Sequence, residues 1–133
     1  MRLAAFAAAA LSSVLGACTV ADRAPPATIA DLAPSQCFHA SDVTGFRVPT
    51  DRVVYISTAR GDTLRLDTLV DCSRARSAST VGFSTLPGGD RVCRGDEVAL
   101  VVPDASFPQR CPVSSLRRLS LDEVAALTAE ERP

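Results

Sequence analysis

From about residue 36 onward, the apolar positions of the chain recur mostly at every second residue. In residues 62–69 (DTLRLDTL), Leu64 and Leu66 alternate with Thr63, Arg65 and Asp67, the pattern of a β-strand with one wet face. Residues 52–58 (RVVYIST) carry β-branched and aromatic side chains on both faces, which predicts a more central strand. Residues 43–48, 80–85, 96–102 and 112–119 give four further strands, and Pro, Gly and Asp clusters around 49–51, 60–62, 87–90 and 103–104 supply the turns. Six short strands with regular turns predict a mainly β domain, a small antiparallel barrel or sandwich. Ser120 with Glu123 three residues on forms a capping box, and Leu121, Val124 and Leu127 give the C-terminal helix that follows an apolar stripe. A short helical turn across 72–79, between the third and fourth strands, makes the order OB-like.

The N-terminal pattern is different. Arg2 precedes an apolar run from Leu3 to Leu15, and the small residues Gly16 and Ala17 lead directly to Cys18. A membrane-spanning helix needs about 20 apolar residues. This run is shorter and ends in a small-residue cleavage site, so residues 1–17 read as a signal peptide. The quartet Leu15-Gly16-Ala17-Cys18 resembles the bacterial lipobox, in which the cysteine thiol is diacylated and the peptide bond before it is cut. Lipidated Cys18 would then be the first mature residue, since two or three acyl chains hold a protein stably on a bilayer. Residues 19–35 are rich in Ala and Pro and read as a tether, reaching at most about 55 Å when fully stretched. Residues 36–133 form the β domain.

Charge narrows the partners. The chain has 14 basic and 15 acidic residues, and every basic residue is arginine. Removing residues 1–17 takes Arg2 with it, so the mature net charge is near −2 and excludes nucleic acid as an expected partner. The arginines look scattered along the chain, and the pair Arg117-Arg118 reads as a solvated face.

The run Cys37-Phe38, Val43-x-Gly45-Phe46, Val54-Tyr55-Ile56, Cys72, Val81-x-Phe83, Cys93-x-Gly95-Asp96, then Cys111-x-Val113-x-x-Leu116 before a closing helix, resembles a family of small four-cysteine proteobacterial lipoproteins of unknown function. The resemblance covers roughly Cys37 to Leu127. It implies a fold, an envelope compartment and disulfides, and brings no catalytic residues. Phe38 and Phe46 read as core.

Residues available for catalysis are few. The single histidine, His39, reads as a surface residue, and no serine lies in a G-x-S-x-G setting. Metal-ligand pairs such as Cys-x-x-Cys or His-x-x-x-His are absent from the sequence, which predicts neither a zinc site nor a thioredoxin-like role. Arg-Gly-Asp occurs at 60–62 and 94–96, where the turn reading is favoured over an adhesion motif. The sequence therefore predicts no enzyme and no cofactor. It predicts an envelope protein anchored through Cys18, on the outer membrane facing the periplasm because Thr19 rather than Asp follows the cysteine. Its domain would bind a protein or glycan partner. The alternative is a small periplasmic ligand carrier or hydrolase, which a pocket lined by Phe46, Tyr55 and Phe83 would favour.

With Cys18 acylated, the other four cysteines form an even set suited to an oxidising compartment. They allow three connectivities. Cys72 follows the third strand and Cys93 precedes the fifth, while Cys37 and Cys111 precede the first and last strands. The expectation is Cys37–Cys111 with Cys72–Cys93, and Cys37–Cys72 with Cys93–Cys111 as the second choice.

Overall fold

The computed structural model describes residues 37–133, apart from 87, 94–95 and 105. The signal peptide, Cys18 and the tether lie outside the described residues. Eight strands run in chain order: β1 (Phe38–His39), β2 (Val43–Thr50), β3 (Val53–Thr58), β4 (Thr63–Thr68), β5 (Gly82–Leu86), β6 (Arg91–Val92), β7 (Glu97–Val102) and β8 (Gln109–Arg118), followed by helix α1 (Leu121–Ala126). All six strands expected from the apolar pattern are present, and the helical turn near 72–79 is a 3-10 turn over Ser73–Ser77. The two-residue strands β1 and β6 are additional. The chain is mainly β, with two disulfides and one short C-terminal helix, as the sequence implied.

Six strands form one antiparallel sheet in the order β2-β3-β4-β8-β7-β5, curled into a half-barrel. Two three-stranded meanders, β2-β3-β4 and β5-β7-β8, meet along β4 and β8. An OB-like barrel is instead a Greek-key arrangement, so that finer topology does not hold. The inner face is apolar by alternation: Val54 and Ile56, Leu64 and Leu66, Val98 and Leu100, and Cys111 and Val113 are all buried, and a register shift in the β4–β8 ladder brings Leu116 to the same face. β1 pairs with β6 and adds Phe38 and Val92 to this core, where the Phe38 and Phe83 rings meet edge to face at 5.9 Å. The 3-10 segment buries Ala75, and Ala78 and Val81 pack beside it against the same core.

Strand direction decides the disulfides. Taking the end where β4 finishes and β8 begins as the upper end, β2 and β4 run upward from the lower end and β3 runs down. β8 starts at the upper end, and β7 starts at the lower end. Cys72, just past β4, therefore lies beside Cys111 in β8, and these two are bonded. Cys37 precedes β1 and Cys93 follows β6; the pairing of those strands at the lower end brings the two cysteines together in the second bond. Both sequence expectations, Cys37–Cys111 with Cys72–Cys93 and its alternative, are overturned. Each joins cysteines at opposite ends of six-residue strands, roughly 20 Å apart, where a disulfide needs Cα atoms within about 7 Å. Being next to the start of a strand did not mean being at the same end of the sheet.

The capping box forms as expected: the Ser120 hydroxyl accepts from the Glu123 amide, and the Glu123 carboxylate accepts from the Ser120 amide. The stripe it was meant to bury is only half covered, because Leu121 is 88% exposed while Val124 and Leu127 are half-buried. The C-terminal segment continues across the sheet until the Pro133 backbone meets the hydrogen side of Gly45, where a Cβ would lie 3.4 Å from it and 3.0 Å from the Ser57 hydroxyl.

Candidate functional site

The outer face of the half-barrel carries the chemistry. On antiparallel neighbours, directly opposite residues share a face. The register opposes Arg47 to Tyr55, Tyr55 to Arg65, and Arg65 to Arg117. One row across β2, β3, β4 and β8 thus reads Arg47, Tyr55, Arg65, Arg117, all pointing away from the core. The local cause is plain in sequence: Arg47 lies between Phe46 and Val48, Arg65 between Leu64 and Leu66, and Arg117 follows Leu116, so alternation turns each arginine outward.

Tyr55 is only 6% exposed although it stands on the wet face. Arg65 is bound to Asp67, two residues along the same strand, through Nε at 3.2 Å and Nη2 at 2.9 Å to Oδ1. The Ser115 hydroxyl donates to the other Asp67 oxygen at 2.7 Å, and the Ser114 hydroxyl donates to the Asp67 carbonyl at 2.9 Å. The hydrogen bond with Asp67 raises the Arg65 pKa against partial burial, and the Tyr55 hydroxyl adds to it. Burial pushes the Asp67 pKa upward, but the bonds from Arg65 and Ser115 outweigh it and hold the carboxyl below its ordinary range. Arg117 reaches the Glu123 carboxylate at 2.7 Å, and so the capping box is tied to the row. The Ser120 amide and Arg117 together lower the Glu123 pKa. Arg47 is exposed and donates to the neighbouring Phe46 carbonyl at 3.3 Å; among the described residues it forms no ion pair.

The residues weighed and set aside in the sequence lie elsewhere. His39 is half-exposed with Nδ1 3.3 Å from Asp90 Oδ2. The Ser41 hydroxyl donates to the same oxygen at 2.7 Å, so serine and histidine share a carboxylate rather than a proton, and no nucleophile–base pair is formed here. Two bonds from Ser41 lead in lowering the Asp90 pKa. Gly61 of the first Arg-Gly-Asp has φ +82°, and Asp62 is paired with Arg118 at 3.0 Å, which is turn geometry. In the second copy residues 94–95 lie outside the described residues, while Asp96 accepts from the Cys93 amide at 2.7 Å.

An open groove of about 580 Å³ separates β2 from the 75–81 segment, lined by residues 43–48, Arg47 among them, and by Arg76, Val81 and Glu130. It does not gather the three aromatic rings named for a carrier. Phe46 borders it, Tyr55 faces the opposite side of the sheet, and Phe83 packs on Phe38 in the core. Arg76 is held by the Val48 carbonyl at 3.1 Å and by Asp51 at 2.8 Å. No group of three or more His, Cys, Asp or Glu suited to a metal is found among the described residues, and no helix among them is long and apolar enough to cross a membrane.

A sequence family matches this chain along residues 1–133, from the apolar N-terminus through the last residue. The chain belongs to DUF6491, a family of unknown function. No curated protein and no solved structure matches it. The arginine row of this DUF6491 chain was missed in the sequence because its members are far apart in number; the signal that could have found it is an outward arginine beside an inward apolar residue in three separate strands.

Proposed function

We propose that this DUF6491 chain is a lipid-anchored bacterial envelope protein, acylated at Cys18, whose β domain binds a partner and performs no catalysis. The observation that supports the anchor is the pairing of Cys37 with Cys93 and Cys72 with Cys111. It accounts for four of five cysteines and leaves the one in Leu15-Gly16-Ala17-Cys18 for another chemistry. Two disulfides in a domain of this size also suit an oxidising compartment, and the family resemblance in the cysteine spacing points to a proteobacterial lipoprotein. Thr19, where inner-membrane retention would call for Asp, favours the outer membrane, facing the periplasm. The binding role is favoured over a carrier because the groove is open and has a single aromatic wall.

Metabolic labelling with a palmitate analogue tests the anchor. The wild-type chain should be labelled and Cys18→Ser should not; labelling that survives the substitution overturns it. Sucrose-gradient fractionation should place the labelled protein with the outer membrane, and banding with the inner membrane would refute that location. Crosslinking and pull-down with the anchor intact should then recover an envelope partner.

A further inference from the structure

We infer that the Cys37–Cys93 bond is a redox latch: a dithiol reductant opens it while Cys72–Cys111 stays closed, and its opening releases residues 37–41 from the domain. The two bonds differ in access. Cys72 and Cys111 are 0% exposed at the seam of the six-stranded sheet, so a thiolate reaches their sulfurs only when β4 and β8 part. Cys37 and Cys93 are each partly exposed and flank β1 and β6, which form a separate two-stranded sheet at the margin. Attack on their bond proceeds from the folded state. One thiolate of the dithiol attacks a sulfur of the bond, and the other cysteine leaves as a thiolate and takes up a proton. The second thiol of the reductant then resolves the mixed disulfide. Two electrons and two protons pass from the dithiol, which becomes a disulfide, to Cys37 and Cys93, which become thiols.

The segment held by this bond is fastened to one short stretch of chain. Phe38 pairs with Val92 and His39 with Arg91, while the Ala40 amide donates to the Asp90 carbonyl at 2.7 Å. The Ser41 amide and hydroxyl donate to the two Asp90 carboxylate oxygens at 2.9 and 2.7 Å, both in exposed positions. The first backbone tie to the six-stranded sheet is the Asp42 carbonyl, which accepts from the Ala59 amide at 2.7 Å and makes Asp42 the hinge. Phe38 is the one buried side chain between Cys37 and Asp42, set edge to face on Phe83. With the latch open, a two-residue ladder, one aspartate and one ring oppose the entropy of five freed residues. The six-stranded sheet keeps its own bond and persists. Where Cys18 is the anchor, opening moves the end of the tether from Cys37 to Asp42, so the domain stands at most about 17 Å further from the bilayer. The latch itself does not rest on that reading.

The test titrates the full oxidised chain, in non-ionic detergent at neutral pH, with dithiothreitol, alkylates the freed thiols and maps the peptides. A range of reductant should exist in which Cys37 and Cys93 are alkylated while Cys72 and Cys111 remain bridged. Within that range the Ala40 and Ser41 amides should exchange about tenfold faster than in the oxidised chain, with β4 and β8 keeping their protection. Reoxidation with a glutathione couple should restore the slow exchange. The Cys37→Ser/Cys93→Ser double variant should exchange fast at the same two amides without reductant and should not respond to it. Simultaneous opening of both bonds, or earlier opening of Cys72–Cys111, would overturn the selectivity. Opening of Cys37–Cys93 with unchanged exchange at Ala40 and Ser41 would overturn the release and leave the bond a plain staple. Cys18 is read as a separate peptide in the map, so the latch and the anchor fail separately.

Discussion

Replacing Cys72 and Cys111 together by alanine removes the bond that ties the segment after β4 to β8. Both residues are fully buried, and they join elements on either side of the seam between the two meanders. With a sequence separation of 39, the chain-entropy treatment gives roughly 3.9 kcal/mol from freeing the unfolded chain. For a domain of roughly 100 residues that corresponds to a fall in Tm of about 15–30 °C. The same treatment gives about 4.2 kcal/mol for the 56-residue separation of Cys37 and Cys93, but that figure is a ceiling. Cys37 precedes a two-residue strand, and without the bond residues 37–42 can fray while the six-stranded sheet persists, returning entropy to the folded state. Urea unfolding of the two double-alanine variants should therefore show the larger loss for the Cys72/Cys111 pair. A loss below about 1 kcal/mol there, or a larger loss for Cys37/Cys93, would refute the reasoning. Non-reducing peptide mapping should recover Cys37 linked to Cys93 and Cys72 linked to Cys111.

Leu66→Ala empties a fully buried position in the central strand β4 and should cost 2–5 kcal/mol in urea unfolding. Ser120→Ala removes one half of the capping box; because α1 is short and buries no residue, the effect of about 1 kcal/mol should appear as faster amide exchange in residues 121–126 rather than as a lower global stability. Asp67 is held below its ordinary pKa of 3.8 in the folded chain, so its contribution is complete above that value and is lost as pH falls through the lower folded value. Asp67→Asn should accordingly flatten the acid limb of the stability profile below about pH 4 while lowering stability at neutral pH, and an unchanged acid limb would count against the Arg65–Asp67–Ser115 network.

Strand positions were legible because one-sided burial writes itself into alternation: Leu64 and Leu66 face inward with Arg65 and Asp67 outward, as the pattern required. Tyr55 also fitted its reading, since β3 has a neighbour on each side. β1 and β6 were not legible, because two residues cannot display a period. The bonds were misassigned because connectivity depends on which end of the sheet each cysteine reaches, a matter of strand order in space. The row was hidden for a related reason. Arg65 meets Arg117 only through the β4–β8 register, which shifts between Asp67 and Thr68. Leu121 shows the opposite failure: an apolar period was present, but the structure gives that position no inward surface.

The two bonds interleave along the chain, the first cysteine joining the third and the second joining the fourth. In a reduced, unfolded chain shorter loops close more often, and the three neighbouring pairs are all closer in sequence than either native pair. Weighting the six possible first bridges by loop length leaves fewer than about one in five native. A cysteine pair oxidised in order of emergence, Cys37 with Cys72, would pin the lower end of the sheet to its upper end and block the β4–β8 seam. Maturation then depends on thiolate exchange, in which a reduced cysteine attacks a wrong bridge and the displaced thiolate attacks the next, with no net oxidation. A disulfide-shuffling catalyst, rather than a stronger oxidant, should limit the yield of native protein from the reduced chain.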